Sequence, residues 1–221
     1  VVRCLKQNGI SFGHLGAAEI SDGNEAHAMG ETELFRHLAE KNIQTFNALG
    51  VQQIITLSPH GFHVIKNDYP QLGGNYQVFH YSQILARALE KAAFRDDLPP
   101  LRVTYHDSCY LGRHNQEYGS ARKMLSAVPG LELVEMQRGF QNALCCGGGG
   151  GNVFTGIIDS GLDTAARARV REAVATDAQV LAVACPQCAV MLADAAKVEN
   201  LDRQLEVKEL SEIVNARLAP K

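Results

Sequence analysis

Five of the six cysteines in this sequence form one pattern whose spacing could serve chemistry. The five are Cys109, Cys145, Cys146, Cys185 and Cys188. The first is followed by 35 intervening residues and an adjacent pair, then by 38 more and a pair separated by two residues. Five glycines, at 147–151, follow the adjacent pair directly, although such a run loses much backbone entropy on folding. The pattern indicates a site where bare backbone must approach sulfur.

Four hypotheses can account for these thiols. Buried structural cysteines explain an adjacent pair poorly, and tetrahedral zinc would leave one of five thiols over. Cys185 and Cys188 alone would suit a thiol–disulfide site at a helix amino terminus, which lowers a thiol pKa. An iron–sulfur cluster accommodates all five, since several irons can share more than four thiolates. In that interpretation, which we favour, Gly147 and Gly148 let backbone N–H groups reach the sulfurs.

The elements that must position these cysteines alternate between strand and helix. Apolar runs predict strands at 11–15, 51–57, 76–80, 101–105, 131–135 and 179–184. Helical periodicity predicts helices at 32–49, 83–94, 121–128, 187–199 and 210–218, with a further helix that places Leu162, Ala166, Val170 and Val174 on one side. Gly50 is expected to end the first of these, and Ser82 to cap the second. The alternation predicts an α/β fold with a mainly parallel sheet. Ligands collect at the carboxyl ends of such strands, where Cys109 and Cys185 fall.

The two halves of the sequence also overlay as a repeat. Residues 21–24 (Ser-Asp-Gly-Asn) align with the segment that begins Cys145-Cys146-Gly147, and residues 58–61 (Ser-Pro-His-Gly) align with 185–188 (Cys-Pro-Gln-Cys). The polar, proline-rich residues 95–100 form the best boundary. We therefore predict two related domains, 1–97 without a cluster and 98–221 with one. We also expect the chain to begin partway through the first domain.

At these residues the sequence resembles the cysteine-rich CCG domain of the heterodisulfide reductase family. Supporting stretches are 105–113 (Tyr-His-Asp-Ser-Cys-Tyr-Leu-Gly-Arg), 135–138 (Glu-Met-Gln-Arg) and 67–70 (Asn-Asp-Tyr-Pro). The resemblance covers nearly the whole chain and extends to iron–sulfur subunits of glycolate and lactate oxidation and to those working with electron-transfer flavoproteins. It implies two Rossmann-like CCG-type domains, the first degenerate, and a [4Fe-4S] cluster, cubane or non-cubane, on the five cysteines.

The resemblance also implies a function and partners. We expect an iron–sulfur electron-transfer subunit or segment of an oxidoreductase complex. Expected partners are a ferredoxin-like iron–sulfur protein, a flavoprotein or a quinone-linked membrane subunit. Two alternatives stay open, namely a catalytic disulfide reductase acting at the cluster and a zinc-stabilised interaction module. The first repeat departs from the family, because Ser21, Asp22, Ser58 and Gly61 stand where cysteines often occur.

Composition sets limits, and smaller motifs add weaker candidates. A formal charge of −3 offers no basic surface for nucleic acid, and no apolar run approaches the roughly 18 residues that span a bilayer. We therefore expect a cytoplasmic chain that reaches the inner face of a membrane only through partners.

His106 and His114 are candidate proton donors beside the cluster. The other candidates are Cys4 as a packing thiol, His60 with His63 as a turn or metal pair, and Arg167, Arg169 and Arg171 as a solvated helix face or a basic docking patch.

Overall fold

Strands and helices alternate along the chain, whose structure is a computed structural model that describes residues 1–156 and 163–220. The strands are β1 (Gln53–Thr56), β2 (Gln77–His80), β3 (Leu101–Tyr105), β4 (Leu131–Val134), β5 (Val180–Val183) and β6 (Glu206–Glu209). The helices are α1 (Val2–Gln7), α2 (Asn24–Ala28), α3 (Thr32–Ala48), α4 (Pro59–Asn67), α5 (Tyr81–Ala88), α6 (Gly112–Asn115), α7 (Gly119–Ser126), α8 (Asn152–Thr155), α9 (Ala165–Val174), α10 (Pro186–Val198) and α11 (Leu210–Arg217).

The strands form two sheets, and every pairing within them is parallel. β1 pairs with β2 in register Ile54 to Val78. The other four strands form a sheet in the order β4-β3-β5-β6. Its central pairing, β3 with β5, sets Val103 opposite Val180. The predicted α/β class with parallel sheets is confirmed, whereas the division into Rossmann-like domains at residues 97 and 98 stays a prediction.

The central strand β5 shows why this sheet is parallel and covered on both faces. All four of its residues are buried. Val180 and Ala182 pack into one core cluster with Met124 and Leu210. Leu181 and Val183 face the other, which contains Cys146, Cys185 and Cys188. Continuous apolar strands of this kind are typical of sheets with helices on both sides. The second cluster brings three of the five cysteines under one face of the sheet.

The first core cluster draws on both halves of the chain. Phe62 and Leu85 come from the first half and pack with Val103 and Leu125 of the second. Helix α1 also lies against α11, where the buried Cys4 Sγ is 3.5 Å from the carbonyl oxygen of Ser211. A third cluster, around Phe35, Val64 and Tyr69, belongs to the first half. The two sheets therefore share packing across the predicted boundary.

Several local predictions were wrong. Residues 11–15 form no strand. His80, not Ser82, caps α5, because its ring nitrogen accepts from the Ser82 backbone N–H. Strand β6 and helix α4 were not predicted. Leu162, which was expected on the face of α9, lies outside the described residues. Among the described helices, none has the length and apolar character required to cross a membrane.

Candidate metal centre

The carboxyl end of β3 is fixed by a buried ion pair. Asp107 follows the strand and receives both terminal nitrogens of Arg122, at 2.7 and 2.9 Å. Arg122 also holds Glu135 through two nitrogens, at 2.7 and 2.8 Å. The second Asp107 oxygen accepts from the Phe140 backbone N–H at 2.8 Å. Charge-assisted, two-point contacts of this kind are stronger than neutral ones. They tie the segment before Cys145 to the strand end that carries Cys109.

The glycines after Cys146 direct backbone N–H groups at sulfur. Gly147 adopts a left-handed conformation, with φ of 79°, which glycine enters without the strain of a Cβ. Its N–H donates to Cys145 Sγ at 3.3 Å, and Gly148 N–H donates to the sulfur of Cys146. A Cβ on Gly148 would lie 2.8 Å from the Met191 side chain. The sequence therefore needs glycine at both positions to bring backbone against these sulfurs.

Cys185 and Cys188 stand at the start of helix α10. β5 ends at Val183, and Cys185 caps the helix in an extended conformation with Pro186 in the first turn. Proline is favoured there because its missing N–H would have no helical partner. Both thiols are almost completely buried. The positive end of the helix dipole lies beside them and favours thiolates.

The five thiols lie in one continuous chain of sulfur contacts. Cys145 accepts hydrogen bonds from Cys109 and from Cys146. The Cys188 sulfur lies 3.3 Å from that of Cys146 and also interacts with Cys185. In the described part of the chain all six cysteines are free thiols. The structure thus brings together the five cysteines that the spacing had linked, while Cys4 lies elsewhere against α11.

Negative charge concentrates on two of the five sulfurs. The pKa of Cys145 is lowered, because the thiols of Cys109 and Cys146 and the Gly147 N–H donate to its sulfur. The pKa of Cys185 is lowered mainly by its contact with Cys188, and a contact with His60 acts in the same direction. The thiolate is the form that binds metals. These two sulfurs are therefore the ones most suited to bind a metal as thiolates.

His106 faces the same group of sulfurs from the end of β3. One of its ring nitrogens and the Sγ atoms of Cys146 and Cys188 all lie within 4.8 Å of one another. Burial lowers the pKa of His106 to about 3, and the charge of Arg169 acts in the same direction. Arg169 is buried and donates its Nε–H to His106 Nδ1 at 3.2 Å. The expectation that Arg169 belongs to a solvated helix face was wrong.

The first half of the chain also reaches the site. His60, in the turn that starts α4, is buried and lies with Nδ1 3.8 Å from Cys185 Sγ. Burial lowers its pKa, but the contact with Cys185 and nearby negative charge outweigh this and raise it. In the opposite direction, Gln187 donates to Glu25 at 2.7 Å. The 185–188 turn therefore contacts the first half at two places, His60 and Glu25.

The remaining histidine candidate lies further out. His114 is exposed and stacks on Tyr110 with ring centroids 4.6 Å apart, and Tyr110 in turn contacts His60 at 4.2 Å. His63 contacts both Tyr110 and His114 through its ring. Proton donation by His106 and His114 stays a prediction. Sequence reasoning missed the contact of His60 with Cys185 and the burial of Arg169, because both depend on pairings between distant segments.

Comparison with known proteins gives evidence on the family of this chain that does not depend on the geometry of the thiols. The model of the cysteine-rich CCG domain family matches residues 103–193. The chain is 34% identical to the EtfAB:quinone oxidoreductase of Syntrophomonas wolfei, over 97% of this chain and 31% of that protein. It is 35% identical to the probable iron-sulfur-binding oxidoreductase FadF of Bacillus subtilis, over 96% of this chain and 30% of that protein.

A methanogen protein shows a similar likeness over more of its length. It is one component of the dihydromethanophenazine:CoB–CoM heterodisulfide reductase of Methanosarcina barkeri, and it is 32% identical over 96% of this chain and 53% of its own length. The chain therefore spans about a third to about half of the length of these curated relatives. All three matches run through both halves of the chain, including the half without the five cysteines.

Proposed function

From two findings we propose that this chain is the electron-transfer part of a heterodisulfide-reductase-like complex. Residues 103–193 belong to the CCG cysteine-rich domain family, and the chain as a whole is related to iron–sulfur oxidoreductases. In this proposal the chain binds one [4Fe-4S] cluster, cubane or non-cubane. Cys109, Cys145, Cys146, Cys185 and Cys188 are its ligands. The degenerate first half supports the site without a cluster of its own.

The observation that carries the proposal is the unbroken line of contacts among the five thiols. Clusters are held by cysteine sulfur, and their potentials depend on hydrogen bonds to sulfur and on exposure to solvent. The site offers the N–H groups of Gly147 and Gly148 at two sulfurs and a buried, unpartnered His106 Nε2 within the described residues. Donors of these kinds are what a negatively charged cluster requires, so the residues present fit the group.

Each part of the chain has a distinct task in this proposal. When bound, the cluster would supply one-electron chemistry. Cys146, Cys185 and Cys188 hold it on the buried side and exclude water. Cys109 and Cys145 are only partly buried and mark the side that is closest to solvent. We expect a redox partner to approach from that side, since electron transfer needs a short path.

Metal analysis tests the proposal directly. The protein is prepared anaerobically, and iron, acid-labile sulfide and the visible spectrum are measured for the unmodified chain and for Cys146→Ala and Cys185→Ala. We expect a brown protein, and a loss of up to about four irons per chain in each variant, because each removes a thiolate from the cluster. Incomplete loss with an altered paramagnetic signal would show conversion of the cluster and would also support the assignment.

Cys4→Ala is the matched control, because Cys4 is a buried cysteine that contacts none of the five. We expect its iron and sulfide contents to equal those of the unmodified protein. Full cluster retention in both Cys146→Ala and Cys185→Ala would contradict the ligand assignment. A colourless protein with one zinc and without sulfide would replace the proposal with the zinc-stabilised interaction module.

Reduction of a disulfide is the second candidate function, and the partial exposure of two ligands favours it. A substrate sulfur could approach on the side of Cys109 and Cys145, which are less buried than the other three. The reaction would break one S–S bond and consume two electrons from a donor protein and two protons, giving two thiols. His106 and His114 are the proposed proton donors. The exposed ring of His114 is the one in contact with solvent.

A reoxidation experiment separates the two functions. The reduced protein is mixed with a small disulfide in one series and with an electron-transfer flavoprotein or a soluble quinone in the other, while the cluster absorbance is followed. We expect fast, saturable reoxidation by the flavoprotein or quinone. Saturable reoxidation by the disulfide alone would make the chain a catalyst.

A cytoplasmic location, with contact to the membrane only through partner proteins, belongs to the same proposal.

A further inference from the structure

His106 combines complete burial with an unused nitrogen at the sulfur group. Its exposed fraction is 1%, and Nε2 has no hydrogen-bond partner within the described residues. A buried polar nitrogen without a partner is destabilising, because it has lost its hydrogen bonds to water, and it therefore calls for an explanation. One ring nitrogen of His106 lies within 4.8 Å of the sulfurs of Cys146 and Cys188. Because Nδ1 is engaged by Arg169, we assign that nitrogen as Nε2 and the two sulfurs as its nearby acceptors.

Arg169 determines which nitrogen of the imidazole carries the proton. An arginine side chain has only donors, so the bond from its Nε to His106 Nδ1 requires a lone pair on Nδ1. A neutral imidazole with a lone pair on Nδ1 has its hydrogen on Nε2. With Nε2 assigned to the sulfur side, the sulfurs of Cys146 and Cys188 have an N–H group beside them and not a lone pair.

Arg169 itself is held in place from two sides. It is fully buried on α9, where its Nη1 donates to the Arg138 carbonyl oxygen at 2.6 Å and to Glu172 at 3.0 Å. Glu172 is also bound by the Arg138 side chain. A buried charge is tolerated when it is paired and hydrogen-bonded in this way. The guanidinium thus cannot turn away from His106 without leaving a buried charge uncompensated.

Building on the proposed function, we propose that His106 is a fixed Nε2–H donor to a cysteine sulfur of the cluster, and that Arg169 is the positioning residue that locks its tautomer. The donor keeps its proton, so this role differs from proton delivery to a substrate. N–H groups at the sulfurs stabilise the reduced, more negative cluster and raise its reduction potential. The hydrogen bond made at one ring nitrogen of a histidine determines the state of the other nitrogen.

The test compares two substitutions of His106 by potentiometry. His106→Leu removes the N–H, whereas His106→Gln retains an amide N–H at about the same reach. Iron and sulfide are measured first in every preparation, so that absence of a cluster from the unmodified protein would refute the proposed function and not this inference. With the cluster present, we expect a lower midpoint potential in His106→Leu and substantial recovery in His106→Gln.

Spectroscopy of the unmodified protein makes the test independent of variant stability. Selective ¹⁵N labelling of histidine and pulsed electron paramagnetic resonance of the paramagnetic cluster report on the coupled nitrogen, and the same spectrum of His60→Phe removes the other histidine that lies beside a thiol. A hydrogen-bonded N–H gives a weak ¹⁵N coupling and an exchangeable proton coupling that disappears in D₂O. A strong ¹⁵N coupling would show that His106 ligates iron and would overturn the proposal, as would no ¹⁵N coupling at all. If His106→Leu loses its cluster, this measurement decides.

Two further variants are measured in the same way: Arg169→Gln tests the positioning residue, and His37→Leu is a control. Loss of the arginine frees the tautomer, so we expect a smaller negative shift of potential and a weaker exchangeable proton coupling at unchanged iron content. His37 is an exposed histidine on α3 and serves as the matched control, with an unchanged potential. Equal potentials in the unmodified protein and His106→Leu, each with a full cluster, would refute the inference while leaving the proposed function intact.

Discussion

The cysteine-pair turn and its counterpart in the first half have the same hydrogen bonds but different atoms. Gly147 and Gly23 both take left-handed conformations, with φ of 79° and 84°. Gly147 N–H donates to Cys145 Sγ at 3.3 Å, and Gly23 N–H donates to Ser21 Oγ at 3.2 Å. The next N–H along donates to the sulfur of Cys146 in one half and to the Asp22 carboxylate at 2.9 Å in the other.

The second pair of turns, at 58–61 and 185–188, differs in the atoms that lie inside the turn. Ser58 caps α4 and accepts from the His60 backbone N–H at 3.1 Å, so an oxygen now satisfies the helix start where Cys185 stands in the other half. A Cβ on Gly61, the counterpart of Cys188, would lie 2.7 Å from Asp22 Oδ2. The comparison teaches that the backbone turn alone does not define a metal site. In the first half oxygen and a carboxylate fill the positions that soft sulfur occupies in the second.

The largest expected effect comes from giving the second half the residues of the first. Cys185→Ser with Cys188→Gly preserves the turn but removes two of the five thiols. We expect loss of the cluster, because hydroxyl and glycine are poor replacements for thiolate ligands. Iron and sulfide analysis with the visible spectrum measures it. Cys4→Ala controls for loss of a buried cysteine, and a double variant that keeps its cluster would break the comparison.

The reverse exchange should fail to create a site. Ser58→Cys with Gly61→Cys supplies two thiols, but Ser21 and Asp22 still occupy the other turn. The new side chain at 61 would collide with Asp22, and we expect a loss of about 1–3 kcal/mol in the free energy of unfolding, typical of overpacking. Denaturant unfolding and iron analysis measure the two effects. Gly61→Ala isolates the collision, and a gain of iron in the double variant would contradict the prediction.

The sequence predicted much of this site and little of its surroundings. Cysteine spacing and apolar runs are local signals, so the sequence linked five thiols that the structure places together, and it predicted strands such as Val180–Val183. Strand β6 was not predicted, because Glu206–Glu209 contains three charged residues and a single valine and lies at the edge of the sheet. Arg169 lies between other arginines, and a charge pattern of this kind normally indicates solvent. Only tertiary structure shows that its partners are Glu172, the Arg138 carbonyl and His106.

A contact between the halves provides a smaller test. His60→Phe keeps a ring against Tyr110 but removes the nitrogen near Cys185. Under the proposed function we expect full cluster content and a lower reduction potential, because a group that stabilises negative charge on sulfur is lost. Potentiometry measures it. His63→Phe is the matched control, since His63 contacts Tyr110 without a described contact to the thiols. An unchanged potential in His60→Phe would confine the first half to scaffolding.

The smallest expected effect concerns a second contact between the halves, from Tyr81 to Glu209. The Tyr81 hydroxyl donates to Glu209 Oε2 at 3.0 Å. Burial raises the pKa of Glu209 from 4.5 to about 7, although the Tyr81 bond acts against this rise. Between these values the folded chain binds more protons at this carboxyl than the unfolded chain. Its stabilising contribution is therefore complete below pH 4.5 and is lost as the pH rises through about 7.

Glu209→Gln removes this titration and isolates its share of the pH dependence. Each unit of pKa shift corresponds to about 1.4 kcal/mol, and partial solvent access reduces the effect, so we expect about 1–2 kcal/mol. Denaturant unfolding at pH 5 and pH 8 gives the free energy of unfolding for both proteins. The amide costs the same at both pH values, so the variant should gain stability relative to the unmodified protein at pH 8 compared with pH 5. Glu40→Gln, at an exposed position on α3, controls for removal of an acidic charge. Identical pH dependence in Glu209→Gln and the unmodified protein would mean that the carboxyl titrates normally, and the contact with Tyr81 would then join the halves without coupling their stability to pH.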